Sequence, residues 1–203
     1  VPINVRPGVG ADADLIVQVA KAAFVTEPAV QYFFAAGYEQ HAPAFFRYLL
    51  DLRLDGGEVW VAEFDDVVAA VAMWNPPGGV TLSKAEQHER WERAASTFPP
   101  DVRERLEGYD AFLEDHHPAE NNHYYLGVLA TQPSLQGKGL AGAVMAPTFE
   151  AADSQAVSCY LETGTPDNVG YYQRHSFEVD ATVDLPDGPR IWWMHRPAQQ
   201  SVG

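Results

Sequence analysis

Cysteine is nearly absent. Cys159 is the only one in 203 residues, which excludes an internal disulfide and fits a reducing compartment, so the chain is expected to be cytoplasmic. Cys159 falls in a predicted strand and reads as a buried, inert thiol. Basic side chains are scarce as well: 13 Lys+Arg stand against 28 Asp+Glu, for a net charge of −15. With no basic cluster to displace counterions, nucleic acid is not expected as a partner, and an anionic membrane surface is disfavoured. Long hydrophobic runs are missing. The longest, such as Val67 to Trp74, is far too short to span a bilayer, and no charged segment followed by an apolar one opens the sequence. There is no internal repeat and no low-complexity tract. His116 and His117 are adjacent and diverge, with no further ligand spacing, so no metal is expected. The acid surplus serves solubility or suits a cationic partner.

What is present is enough for a core: 46% hydrophobic residues, 12% aromatic. The length predicts one domain over 1–203, with a flexible tail at about 197–203. Ile3 to Arg6 alternates as a short strand. Asp12 or Asp14 can cap a helix with Leu15, Val19, Ala22 and Ala23 on one face. Pro28 interrupts it, Ala29 to Ala36 reads as a second helical piece, and Pro43 to Leu54 as a third. Glu58 to Phe64 and Val67 to Trp74 form a hairpin about Asp65-Asp66. Residues 83–117 are charged, helix-prone and split at Pro99-Pro100, an insertion between the third and fourth strands. His123 to Thr131, Val157 to Thr163, Phe177 to Leu185 and Arg190 to His195 read as strands, with helices from Gly142 to about Asp153 and from Asp167 to Arg174. The order predicts a mixed α/β (α+β) sheet with one parallel crossover over residues 123–163.

The strongest local signal is Gln136-Gly137-Lys138-Gly139-Leu140-Ala141-Gly142, which follows a strand and opens a helix. Backbone N–H groups there converge on an anion, and the helix dipole adds about half a positive charge. A phosphate or pyrophosphate ligand follows from that physics. Gly137, Gly139 and Gly142 also spell a dinucleotide fingerprint, with Glu162 about 20 residues on, where a ribose-binding acid belongs. Too little chain remains after the loop for the other parallel strands of such a domain, and no Ser or Thr follows Lys138 as a Walker loop requires.

The same segment matches the Q/R-x-x-G-x-G/A signature of the GNAT N-acetyltransferase superfamily. Leu129-Ala130-Thr131-Gln132-Pro133 resembles the strand end that precedes it there. Leu161-Glu162-Thr163, then Asn168 and Tyr172 before Phe177, resembles the later family stretch, with Ser176 in place of its glycine. Gly57 to Ala62, Ala70 to Trp74, Pro147 with Glu150-Ala151-Ala152, and Gly188 to Trp192 resemble segments of the family's puromycin-acetylating members, which extends the likeness over nearly the whole chain.

The resemblance implies an acyl-CoA N-acyltransferase fold with acetyl-CoA as donor. Its pyrophosphate would lie on the amides of Gln136, Gly137, Lys138, Gly139, Leu140 and Ala141, with Gly142 starting the helix. Its pantetheine arm would pair with a splayed strand end at Leu129, Ala130 and Thr131, through the backbone of Leu129 and Thr131, and bond Asn168, whose other reading is a helix N-cap. Tyr172 would donate a proton to the leaving sulfur. Glu162 is the best-placed carboxylate for the base, its other reading being a cap or an ion-pair partner. His123 titrates in the right range but reads as exposed. Candidates for the acceptor pocket are Phe24, Glu27, Tyr32, Trp74, His116 and Tyr124; Phe24, Tyr32 and Trp74 also read as core.

The expected activity is acetyl transfer to the primary amine of a small molecule, a puromycin-like antibiotic or another cationic amine. The rivals are a protein N-terminal or lysine acetyltransferase and a non-catalytic CoA-binding regulator. Family members are often dimers, so the resemblance admits a homodimer.

Overall fold

A computed structural model of the chain describes residues 2–118 and 120–199. Its elements run β1 (Asn4–Pro7), α1 (Ala13–Ala23), α2 (Pro28–Phe34), α3 (Tyr38–Gly56), β2 (Glu58–Phe64), β3 (Val67–Asn75), α4 (Lys84–Ala95), α5 (Pro100–His116), β4 (His123–Thr131), α6 (Leu140–Gln155), β5 (Ser158–Thr163), α7 (Pro166–Gln173), β6 (Glu178–Asp184) and β7 (Arg190–Arg196). The strands form one sheet in the order β1-β2-β3-β4-β5-β7-β6. Every neighbouring pair is antiparallel except β4–β5. That is the mixed α/β sheet, with its helical insertion between the third and fourth strands, that the sequence predicts.

Local chemistry sets the element ends. Asp65 and Asp66 take positive φ (53° and 61°), the conformation a tight hairpin turn demands. Ser83 and Glu86 close a reciprocal capping box at the start of α4, and Pro100 opens α5 where its missing N–H costs nothing. Ser176 takes φ of 66°, so the turn where the family pattern has glycine forms with serine instead.

Two cores sandwich the sheet. On one face α1, α2, α3 and α5 cover Val59, Val61, Val71, Met73, Val128 and Ala130. On the other, α6 and α7 cover Ala62, Ala70, Trp74, Tyr124, Cys159 and Leu161. Cys159 is fully buried, and burial pushes its thiol up to about 12, the inert state expected.

Several sequence expectations need correction. α1 buries Ala13, Ile16, Val19 and Ala20, while Leu15 is exposed, so the apolar stripe lies a step round from the predicted one. α3 begins at Tyr38, ahead of Pro43, which sits inside the helix. The expected tail at about 197–203 lies partly outside the described residues; within them, Gln199 N donates to Asp153 Oδ1 at 2.7 Å.

Candidate active site

The parallel ladder between β4 and β5 is short. It pairs His123–Tyr125 with Ser158–Tyr160 and goes no further, so the strands diverge beyond Tyr125. The divergence starts where β4 bulges. Register against β3 jumps from Met73–Val128 to Trp74–Leu126, which leaves Gly127 as the extra residue. Glycine makes room there for the Arg53 guanidinium of α3, which lies where a Cβ would stand. Arg53 Nη1 donates to Leu49 O at 3.0 Å, and its Nε is buried without a partner among the described residues.

The gap exposes specific backbone groups. Gln132 N donates to Ala69 O at 2.8 Å, and the register pairs Ala70 with Thr131, Val71 with Ala130 and Ala72 with Leu129. Bonded and non-bonded pairs alternate in an antiparallel ladder. Leu129 and Thr131 therefore turn both N–H and C=O away from β3, towards the gap. Ala130 is the exception among the three expected pantetheine partners: its backbone belongs to the β3 ladder, and its side chain is in the core beneath α1.

Beyond β4, Gln136 to Gly139 stand exposed. Gly137 and Gly139 have φ of 75° and 83°, and a Cβ on either would meet nothing within 4 Å. α6 then starts with no side-chain cap, and the amide of Ala143 is the first bonded back, to Gly139 O at 3.0 Å. The amides of Leu140, Ala141 and Gly142 are thus the free donors of the helix end. Lys138 lies with Nζ 5.4 Å from the Phe64 ring centre.

A cleft opens where β4 and β5 part. Its enclosed portion is about 110 Å³, room for a small group at its base rather than a whole ligand. Phe24, Phe33, Phe45 and Phe46 supply aromatic walls, Leu126 to Leu129 the strand side, and Glu27, Glu162, Asn168 and Tyr172 the polar groups. No Lys or Arg lines it among the described residues.

Glu162 is one of its polar wall residues. Oε1 accepts from Tyr125 Oη at 2.9 Å and from Tyr109 Oη at 3.2 Å, while Oε2 is buried with no partner among the described residues. Burial pushes this carboxyl up to about 7, against the two phenolic donors that pull it down. Among the described residues Glu162 is neither a cap nor in a salt bridge. Glu27 caps α2 instead: Oε2 accepts from Val30 N at 2.8 Å and Oε1 from Gly164 N at 3.2 Å, with its carboxyl raised by burial.

Asn168 is not a helix N-cap, the place taken by Thr165; its Nδ2 donates to Thr163 Oγ1 at 3.3 Å. Tyr172 is 7% exposed, its phenol is held protonated far above neutrality by burial, and its Oη has no hydrogen-bond partner among the described residues.

Four residues expected in the acceptor pocket do not line this cleft. Trp74 is fully buried on the α6 face, edge-on to Tyr124 at 6.4 Å and to Phe149 at 6.0 Å. Tyr124 shares that face. Tyr32 donates to Pro186 O at 3.3 Å beside the β6–β7 turn. His116 Nδ1 bonds Phe112 O at 2.8 Å, and its ring lies on Phe112. His123, expected at the surface, is 5% exposed. The residues that do reach the cleft unforeseen are Tyr109, Tyr125 behind Glu162, and the phenylalanines of α2 and α3. Tyr109 lies on the α5 face marked by Val102 and Leu106, a helical spacing visible in sequence.

Residues 25–177 match the family model described as "Acetyltransferase (GNAT) family", and the chain belongs to that family of acetyltransferases. The family uses acetyl-CoA as its acetyl donor. Solved structures share the fold. One is a protein of Corynebacterium glutamicum described as histone acetyltransferase HPA2 and related acetyltransferase, 20% identical over 100% of both chains, with a TM-score of 0.71. Another is arylalkylamine N-acetyltransferase 2 of Aedes aegypti, 12% identical over 98% of this chain and 100% of that one, with a TM-score of 0.70. A third is an agmatine N-acetyltransferase in its apo form, 14% identical over 97% and 100%, with a TM-score of 0.59. The dinucleotide alternative is thereby set aside, as it is by topology: past β5 the sheet continues antiparallel through β7 and β6.

Proposed function

We propose that the protein transfers an acetyl group from acetyl-CoA to the primary amine of a small cationic molecule, with a puromycin-like compound as the acceptor to try first and 1–203 acting as one N-acetyltransferase unit. The observation that carries this reading is Glu162: a carboxyl pushed up to about 7, with one free oxygen, in an aromatic cleft that holds a second carboxylate and no cation among the described residues. An alkylammonium ion has a pKa near 10 and must lose a proton before it can attack. Two carboxylates on the cleft wall draw the ammonium in, and a base near neutrality removes its proton.

The surroundings suit acetyl-CoA. Free backbone groups of Leu129 and Thr131 would take its pantetheine amides, and the open loop at Gly137 to Gly139 with the first amides of α6 would take its pyrophosphate. When bound, it supplies an acetyl thioester. Glu162 then takes the proton from the amine, Asn168 orients the arm, and Tyr172 gives its proton to the sulfur as it leaves. Phe24 and its neighbours would hold the acceptor's body, with the Glu27 carboxyl beside it.

The deciding experiment follows thiol release with acetyl-CoA and a panel of puromycin, tyramine, spermidine and peptides with free N-termini. Turnover of puromycin or tyramine, abolished in Glu162→Gln and slowed at least tenfold in Tyr172→Phe with acetyl-CoA affinity unchanged, is expected. Turnover of the peptides alone would move the activity to a protein acceptor. Acetyl-CoA binding with no turnover would make the chain a CoA-binding regulator.

A further inference from the structure

The α4–α5 insertion reaches the cleft through one phenol. α5 is fixed to α2 by two contacts one turn apart: Arg105 Nε donates to Phe33 O at 2.9 Å, and the Tyr109 ring lies 4.8 Å from the Phe33 ring. That docking brings Tyr109 Oη to Glu162 Oε1 at 3.2 Å, the same oxygen that Tyr125 Oη reaches at 2.9 Å from the sheet. The two donors come from different elements, α5 and β4. With both on Oε1, the carboxylate cannot swap its oxygens without breaking two hydrogen bonds, so Oε2 is the atom left unpaired.

We propose that Tyr109 is a positioning residue for Glu162: together with Tyr125 it pins Oε1 and leaves Oε2 to take the acceptor's proton, so the base is assembled only while the insertion is docked. This rests on Glu162 being the base, as proposed above. It assigns the insertion a part in the chemistry besides walling the cleft.

The charge environment makes the contribution measurable. The titratable and charged groups facing Glu162 are Tyr109 of α5, Tyr125 of β4, Tyr172 of α7, Glu27 at the start of α2 and Arg53 of α3. Glu27 raises the carboxyl, and Arg53 interacts favourably with its charged form. The two phenols stabilise that form directly, each by donating a hydrogen bond. Tyr109→Phe keeps the ring on Phe33 and removes one donor only.

The test uses full-length protein labelled with ¹³C at glutamate Cδ. The Glu162 resonance is assigned by its loss in Glu162→Gln, and its midpoint is followed in wild type, Tyr109→Phe, Tyr125→Phe and Arg105→Ala. Tyr109→Phe should raise the midpoint by about 0.5–1 unit. Arg105→Ala, which loosens α5 without touching Glu162, should move it the same way, and Tyr125→Phe at least as far. The acidic limb of kcat/KM for puromycin acetylation should shift with the midpoint. An unmoved midpoint in folded Tyr109→Phe, or a rate that falls equally at every pH, overturns the role of Tyr109 while leaving the base in place. A Glu162→Gln enzyme with wild-type rate overturns the base itself, and the positioning role with it.

Discussion

The Glu27 carboxylate accepts from the amide of Gly164 at 3.2 Å, and a Cβ on Gly164 would stand 2.6 Å from Glu27 Oε1. One side chain thereby joins the cap of α2 to the end of β5, two residues past Glu162. Gly164→Ala must displace that carboxylate, weakening the bond across elements and disturbing the cap. The expected cost is about 1–2 kcal/mol of stability, read by urea denaturation, together with a lower kcat. A fully stable and fully active Gly164→Ala enzyme would show that the joint between α2 and the end of β5 is dispensable.

Glu162 should make the protein less stable as pH rises. Its unfolded reference is 4.5 and its folded value about 7, so between those limits the folded chain holds a proton that the unfolded chain has lost. Stability therefore declines through that window and levels off above it. Glu162→Gln carries no such proton. Allowing for the part of the residue that still meets solvent, the stability difference between the variant and wild type should move in the variant's favour by about 1–2 kcal/mol between pH 4.5 and pH 8. Parallel stability curves across that range would contradict the raised carboxyl.

Gly139 tests the anion cradle. At φ of 83° with empty space around it, alanine meets no clash but pays about 1–2 kcal/mol for a left-handed backbone. Relief of that strain tilts the start of α6, so Gly139→Ala should weaken acetyl-CoA binding roughly tenfold by calorimetry, about 1.4 kcal/mol. Unchanged affinity would remove the loop from the binding site.

Ser176 offers a gain. It holds φ of 66°, the left-handed region that favours glycine. Ser176→Gly should raise stability by about 0.5–1 kcal/mol, the left-handed penalty less the added freedom of the unfolded chain, without altering turnover. A drop in melting temperature would show that the serine side chain makes up for the strain.

How far each feature could be read in the sequence depends on the distance over which it is encoded. The glycine loop, the Asp65-Asp66 hairpin and the Ser83–Glu86 cap are local, and their chemistry is legible within a few residues. The Glu162 clamp is not. Its donors lie 37 and 53 residues upstream, on a different strand and in the insertion, and only the fold brings them together. Strand parity explains two of the misplaced residues. Tyr124 and Trp74 each sit beside a residue on the cleft face, Tyr125 and Met73, and in a strand one step in sequence is the opposite side of the sheet. The bulge at Gly127 shifts that parity partway along β4; the resemblance implies a bulge at this strand end, and a glycine inside a strand is its local sign, but neither says which side chains change face. His116 fails for a related reason: it lies seven residues, about two turns, beyond Tyr109 on α5, past the cleft.

The three-rung ladder between β4 and β5 also makes the sheet a structure with a seam. On one side lie β1 to β4; on the other, β5 to β7 with the Glu162 carboxyl. A cofactor arm laid into the seam would act as a guest strand, supplying the rungs that the chain leaves out. Occupancy and cohesion would then be a single thermodynamic quantity: ligand at a hundred times its dissociation constant would add about 2.7 kcal/mol to the folded state. On this view the donor mends the fold each time it binds, and the enzyme loosens each time the spent carrier departs.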